Sequence, residues 1–272
     1  MGEMKELSVV IVTYNSEPDI YGCLEALYAK NDLGEQLEVI VVDNSSRSFD
    51  HLQKELTRLY GDRVQVLRNT QNGGYGQGNN IGIRHSSAPI VMIMNPDVRL
   101  KEFSLKAVVA RYRQDERLAI CGFKQVINEQ GKAGQSFSLL NHYPGWIRLI
   151  GNGLAKRLDC FCGRHMYFSG ACFCVRKQTF EQAGLFDEQI FLYGEENDIH
   201  YRIRQAVPRS HDGYMRTMTY LHPTEDRPTT DRQYQLRLQS NEYVMAKQGR
   251  KPGTYIRSEE QRLRWAKRLT RR

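Results

Sequence analysis

The chain has 272 residues, 40% of them hydrophobic and 26% charged, with a net charge of +8. That length suits one large domain or a domain with an extension, and no apolar run approaches the roughly 20 residues that a membrane-spanning helix requires. Residues 247–272 hold ten basic and two acidic side chains, so the rest is balanced, which disfavours a nucleic-acid-binding face; the opening MGEMKELSVV lacks a signal-peptide pattern, and a cytoplasmic location is expected.

Residues 7–12 (LSVVIV) have the pattern of a strand buried on both faces, followed by Thr13, Tyr14 and Asn15 in a turn. Helical spacing of Ile20, Cys23, Leu24 and Leu27, started by Pro18 and Asp19, predicts a helix over 19–27. A second strand over 37–42 ends in Asp43, Asn44, Ser45 and Ser46; a helix over 49–60 and a third strand over 64–68 follow. Such alternation implies parallel pairing through right-handed crossovers, with the polar strand ends on one edge of a sheet.

Residues 69–82 (NTQNGGYGQGNNIG) contain five glycines and match neither the dinucleotide fingerprint nor a P-loop. Their position between a strand and a helix opening near Asn80 predicts a loop facing a nucleotide. A buried strand over 90–94 then stops at Asn95, Pro96 and Asp97. A carboxylate at a strand's carboxyl end can hold a hard cation on a phosphate, or simply cap the turn. A helix over 103–112 and a strand over 118–123 come next, and residues 126–159 resist assignment. The pattern over 166–175 is a strand interrupted at Ser169, Gly170 and Ala171, with a short helix over 177–183 behind it. Glu195, Glu196 and Asp198 cluster after Tyr193-Gly194, just before a helical pattern. They either cap that helix or stand in a cleft where a carboxylate takes a proton from a hydroxyl. The six cysteines include two C-x-C pairs without zinc-ribbon spacing, and buried, reduced thiols are expected.

Taken together, VVIVTYNS, VVDNSS, NGGYGQGNNIG, MNPDV, SGACFCVRKQTFEQAGLFDE and FLYGEENDIHYRIR resemble the inverting family 2 glycosyltransferases over residues 7–225. MNPDV and FLYGE are most similar to bacterial rhamnosyltransferases of surface-polysaccharide synthesis. The resemblance implies a GT-A fold, that is, a Rossmann-like, mostly parallel central sheet flanked by helices. It implies that Thr13, Tyr14, Asn15 and Asp43 contact the nucleotide, with Gly74 and Asn80 nearby. Asn95 and Asp97 match the ends of the family's D-x-D motif, so Asp97 is the implied ligand of Mg2+ or Mn2+ and Asn95 is a departure that removes one charge. The implied base is Glu196, with Glu195 its rival because both are Glu; Asp198 orients the acceptor or the helix. His222 is the candidate second metal ligand, ahead of His211.

The implied reaction moves a sugar from a dTDP- or UDP-sugar to a saccharide acceptor, one carried on a lipid. Residues 226–272 are expected to form a basic helical extension. Projecting 257–272 on a helix sets Leu263, Trp265, Ala266 and Leu269 on one arc and Arg264, Lys267, Arg268 and Arg271 on the other. Such a helix can make peripheral contact with an anionic membrane surface on its cytoplasmic side. The competing readings are an inactive nucleotide-sugar-binding protein and a basic nucleic-acid-binding protein.

Overall fold

The computed structural model describes residues 4–223, 230–251 and 253–270, the last five by backbone alone. Its centre is an eight-stranded sheet built from β1 (Leu7–Thr13), β2 (Leu37–Asp43), β3 (Val64–Arg68), β4 (Ile90–Met94), β5 (Arg99–Leu100), β6 (Leu118–Val126), β9 (Cys172–Arg176) and β10 (His211–Leu221). The spatial order is β3-β2-β1-β4-β9-β6-β10-β5. β9 runs against β4 and β6, and β5 against β10, while the other pairs are parallel. The mostly parallel α/β sheet read from the sequence is therefore present. A separate ribbon pairs β7 (Phe137–Leu139) with β8 (Met166–Phe168).

Two-sided burial explains why the central strands are nearly continuous runs of aliphatic residues. Ile90, Met92 and Met94 of β4 face one core together with Leu7, Val9 and Ile11 of β1. Val91 and Ile93 face the other with Val10. Each such side chain contributes on the order of 1.5–3 kcal/mol by leaving water. Helices α1 (Glu17–Ala29), α2 (Phe49–Tyr60) and α4 (Leu105–Gln114) cover the first face through Leu24, Leu56 and Val108. Helices α3 (Gly74–His85), α6 (Lys177–Gln182) and α7 (Glu195–Ala206) cover the second through Ile83, Phe180 and Ile199.

Four expectations change. Helix α3 begins at Gly74, not near Asn80, so most of the glycine-rich stretch is helix rather than loop. Its glycines provide close packing: a Cβ on Gly78 would stand 2.7 Å from Cγ1 of Val12, and one on Gly82 2.4 Å from Cγ1 of Val10. The interrupted pattern over 166–175 is two strands in two different sheets, β8 and β9, with Ser169-Gly170-Ala171 as the crossing. Cys160 and Cys162 are exposed, because they lie in the turn after α5 (Gly145–Leu158); the other four thiols are buried, and all six are free.

The fourth change concerns the carboxyl-terminal part. Helices α8 (Asp231–Lys247) and α9 (Thr254–Thr270) pack onto the sheet domain rather than trailing from it. Val244, Met245 and Tyr255 form a core with Ile190. Arg148 of α5 pairs with Glu259 of α9 at 2.9 Å, both nearly inaccessible to water. The expected boundary at 225 and Arg271 lie outside the described residues, as do the side chains of Ala266, Lys267, Arg268 and Leu269. No helix among the described residues is long and apolar enough to cross a membrane.

Candidate functional site

Because the strands are mostly parallel, the carboxyl ends of β1, β2, β4, β6 and β10 meet at one edge, joined there by the amino end of β9. Ligands of open α/β sheets bind at that edge. Thr13 and Asp43 end paired strands, and the Thr13 hydroxyl donates to Oδ2 of Asp43 at 3.1 Å. Oδ1 of Asp43 accepts from the Ser46 amide at 2.8 Å, and the Asn15 amide donates to Oγ of Ser46. Asn15 and Ser45 take positive φ, 51° and 69°, which folds the two strand ends toward each other. Tyr14, 51% exposed, and Asn15, whose Oδ1 accepts from the Arg47 amide at 3.2 Å, stand exposed at the rim, whereas Asp43 is fully buried and shapes the turns beneath them.

Two residues expected near the nucleotide are engaged elsewhere. Asn80 donates to Phe186 O and Glu188 Oε1, both at 2.9 Å, and accepts from the Phe186 amide at 3.0 Å. Its amide is saturated by the 186–188 segment. Gly74 has φ 87°, and a Cβ there would lie 2.0 Å from the Phe191 carbonyl oxygen, so glycine is required by packing.

Past β4, Asp97 is buried and its Oδ1 lies 3.4 Å from Nε2 of His222, the residue just beyond β10. On the other side of the ring, Gln125 lies 3.4 Å from Nδ1 of His222, and Tyr220 reaches Gln125 Oε1 at 3.4 Å. The amide nitrogen of Gln125 faces Nδ1 and its Oε1 accepts from the Tyr220 hydroxyl, which makes Nδ1 the acceptor and sets the ring proton on Nε2 toward Asp97. A metal on Nε2 requires the other tautomer, with the Gln125 amide turned over. A carboxylate oxygen and an imidazole nitrogen at this separation fit a divalent ion that takes its other ligands from diphosphate and water. Among the described residues no group of three or more His, Cys, Asp or Glu converges for a metal. The Asn95 side chain stands at the turn whose backbone amide donates to Ala171 O at 2.8 Å. His211 is at the opposite end of β10 and pairs with Asp115 at 2.9 Å, which removes it as a rival.

Helix α7 starts at Gly194, whose φ of 103° turns the chain into the site. Glu195 is 2% exposed, and its Oε1 has no hydrogen-bond partner. Burial first, and the neighbouring Glu196 charge next, hold its carboxyl well above the ordinary range. Glu196 instead lines a cavity of about 510 Å³ together with Ser169, Gly170, Gln125 and His222. Burial raises its carboxyl too, opposed by hydrogen bonds from its own amide and from that of Gly170. The absence of a side chain at Gly170 leaves room for the carboxylate, since a Cβ would sit 1.9 Å from Glu196 Oε1. The Tyr75 hydroxyl holds the Gly170 carbonyl at 2.7 Å, fixing this shelf. Asp198 is fully buried away from the cavity wall, bound to Arg202 at 2.7 Å and Lys247 at 3.1 Å. Of its two expected roles, this geometry suits orientation of the helix.

Part of the cavity wall comes from Arg237, Asn241 and Tyr255 of α8 and α9, residues with no signal in the sequence pattern. Gln125 was a weaker miss, a polar side chain inside a buried strand at the ligand-binding edge. A larger hollow of about 640 Å³ opens at the amino ends of β2 and β3, between Tyr28, Glu38 and Arg63, and none of the candidate residues reaches it.

Residues 8–184 match the model of glycosyl transferase family 2. A low-salt glycan biosynthesis hexosyltransferase of Haloferax volcanii is 28% identical over 218 residues, which cover 74% of this chain and 62% of that protein. A dTDP-rhamnosyl transferase of Shigella flexneri is 29% identical over 191 residues, 67% of this chain and 58% of that one. The chain thus spans less than two thirds of either relative's length. Among solved structures, a mannosyltransferase from Pyrobaculum calidifontis in complex with GDP-Man and Mn2+ superposes with a TM-score of 0.63 at 16% identity, covering 95% of this chain and 69% of that chain. The likeness is one of fold, and it is the GT-A architecture that the motifs imply. With well over half of its length matched, the chain belongs to glycosyl transferase family 2.

Proposed function

We propose that the protein is an inverting glycosyltransferase that moves a sugar, with rhamnose as the candidate, from a dTDP- or UDP-sugar to a lipid-linked saccharide in bacterial surface-polysaccharide synthesis. The observation that carries this reading is one cavity lined by Glu196 and by His222, with Asp97 against the far side of that imidazole. Tyr14 and Asn15 at the rim of β1 receive the base and ribose. Glu196 takes the proton of an acceptor hydroxyl, whose oxygen attacks the anomeric carbon. The bond from that carbon to the diphosphate oxygen breaks, and the nucleoside diphosphate leaves with the electron pair from the opposite face, so the anomeric configuration inverts. Asp97 and His222 would hold Mg2+ or Mn2+, which would supply charge neutralisation for the diphosphate. The neutral Asn95 leaves Asp97 as the single carboxylate of that motif.

Calorimetric titration with UDP-, dTDP- and GDP-sugars, with and without Mn2+, tests the reading. Metal-dependent binding of one nucleotide class is expected, and saturable binding of none by the folded protein would remove it.

A further inference from the structure

Helix α5 carries large apolar side chains at four successive i,i+4 positions that face water: Trp146 at 45% exposure, Ile150 at 44%, Leu154 at 54% and Leu158 at 70%. At 1.5 Å per residue the ridge runs about 18 Å. Its opposite face is occupied by β7 and α9, for Gly151 meets Leu139, Ala155 is buried, and Arg148 is bound to Glu259. The ridge is therefore not a core face left over from folding. Helix α9 crosses at Gly145, where a Cβ would touch the Ser258 carbonyl oxygen and the Arg262 amide. Just beyond that crossing Leu263 and Trp265 are also exposed, at 37% and 39%.

Charge identifies the occupant. Helix α5 has no acidic residue, Lys156 and Arg157 in its last turn are exposed, and Arg164 follows them on the surface. On α9 the exposed Arg264 stands beside Leu263 and Trp265, in a solvent-exposed ion pair with Glu260 at 3.6 Å, so the positive charge of this surface comes mostly from the cations of α5. A convex apolar ridge offers no groove for a peptide, while a row of indole and aliphatic groups flanked by cations matches the interface of an anionic bilayer. We infer that α5, supported by the exposed part of α9, lies on an anionic lipid surface, with Trp146, Ile150, Leu154 and Leu158 as the inserted ridge. A lipid-linked acceptor would be met at that surface, but the inference stands on the ridge and is independent of which sugar moves.

The test uses the full chain and flotation with phosphatidylcholine vesicles, with or without phosphatidylglycerol, in the absence of any sugar nucleotide. The wild type is expected to float with the anionic vesicles and much less with the neutral ones. A Leu154→Glu/Leu158→Glu double variant with an unchanged melting curve should lose binding by about tenfold or more. Lys156→Glu/Arg157→Glu, which leaves the ridge intact, should weaken binding to anionic vesicles alone. A wild type that binds neither vesicle, or a double variant that binds as well as wild type, overturns the inference. So does light scattering that shows a dimer dissociated by Leu154→Glu/Leu158→Glu, since that assigns the ridge to a second copy. Because binding is read without donor, failure here and failure of sugar transfer are separate results.

Discussion

Nε2 of His222 lies 3.4 Å from Oδ1 of Asp97, although the two residues follow β10 and β4, strands that are distant in the chain. The contact exists because both strands point the same way and end at one edge. We expect Asp97→Asn and His222→Ala each to lower turnover by about 100-fold or more, the scale of removing a preorganised electrostatic contact. Calorimetry should show that Mn2+ no longer strengthens donor binding. Retained Mn2+ dependence in both variants would take the metal away from this pair.

Neighbouring carboxyls on α7 have different surroundings, and their variants should part accordingly. Glu196→Gln is expected to lower kcat by roughly 10²–10⁴ while donor affinity holds. Glu195→Gln places an amide of the same shape where burial favours the uncharged form and away from the cavity wall, so turnover should change little. Steady-state kinetics on the two, with donor titrations, checks both statements. Full turnover by Glu196→Gln would remove Glu196 as the base and pass that role to Glu195 for the same test.

The same burial sets two pH dependences. A base must be deprotonated, so kcat/KM should rise with pH, with a midpoint above the ordinary 4.5 of a glutamate. For stability the sign is opposite. Glu195 has a raised value in the folded state, so its contribution is full below about 4.5 and is lost as pH rises through the folded value. Glu195→Gln should therefore be more stable than wild type at neutral pH, and the gap should close as pH falls toward 4.5. Thermal melts across that range measure it.

Gly170→Ala probes the shelf under the base. Its Cβ would lie 1.9 Å from Glu196 Oε1, so the carboxylate must move, and positioning errors of about 1 Å can cost on the order of 100-fold in rate. The effect should appear in kcat with the melting temperature nearly unchanged.

Gly82→Ala tests the packing role of the glycine-rich helix. Alanine gains about 1 kcal/mol of helix propensity, but a Cβ 2.4 Å from Val10 Cγ1 costs about 1–3 kcal/mol in overpacking. Net destabilisation of about 1–2 kcal/mol is expected in urea melts, with donor binding retained by the folded fraction.

Glu259→Ala asks whether the carboxyl-terminal helices belong to the domain. Burial alone would raise the Glu259 carboxyl, but Arg148, Arg262 and Arg237 outweigh it and hold it below 4.5. Removing it strands Arg148 in the interior, at about 3–5 kcal/mol. Its contribution to stability exists above about pH 4.5 and fades as pH falls through the lower folded value, so the deficit of the variant should shrink in acid.

The aliphatic runs of β1, β2 and β4, and the polar residues that end them, were legible in the sequence because a strand buried on both faces has nowhere to put a charge. Asp97, the Glu195–Glu196 pair and His222 were singled out as candidates by their neighbours in the chain. The glycines at 78 and 82 misled as loop residues, because only a helix lying directly on β1 gives a missing Cβ its purpose. The choice between Glu195 and Glu196 was equally closed to sequence: adjacent helical residues diverge by about 100°, and only packing decides which one meets the cavity. The part of the wall given by Arg237, Asn241 and Tyr255 depends on α8 and α9 folding back through the Arg148–Glu259 pair. Local pattern determined the strands and the edge where chemistry can occur, while long-range packing decided which side chains share that edge.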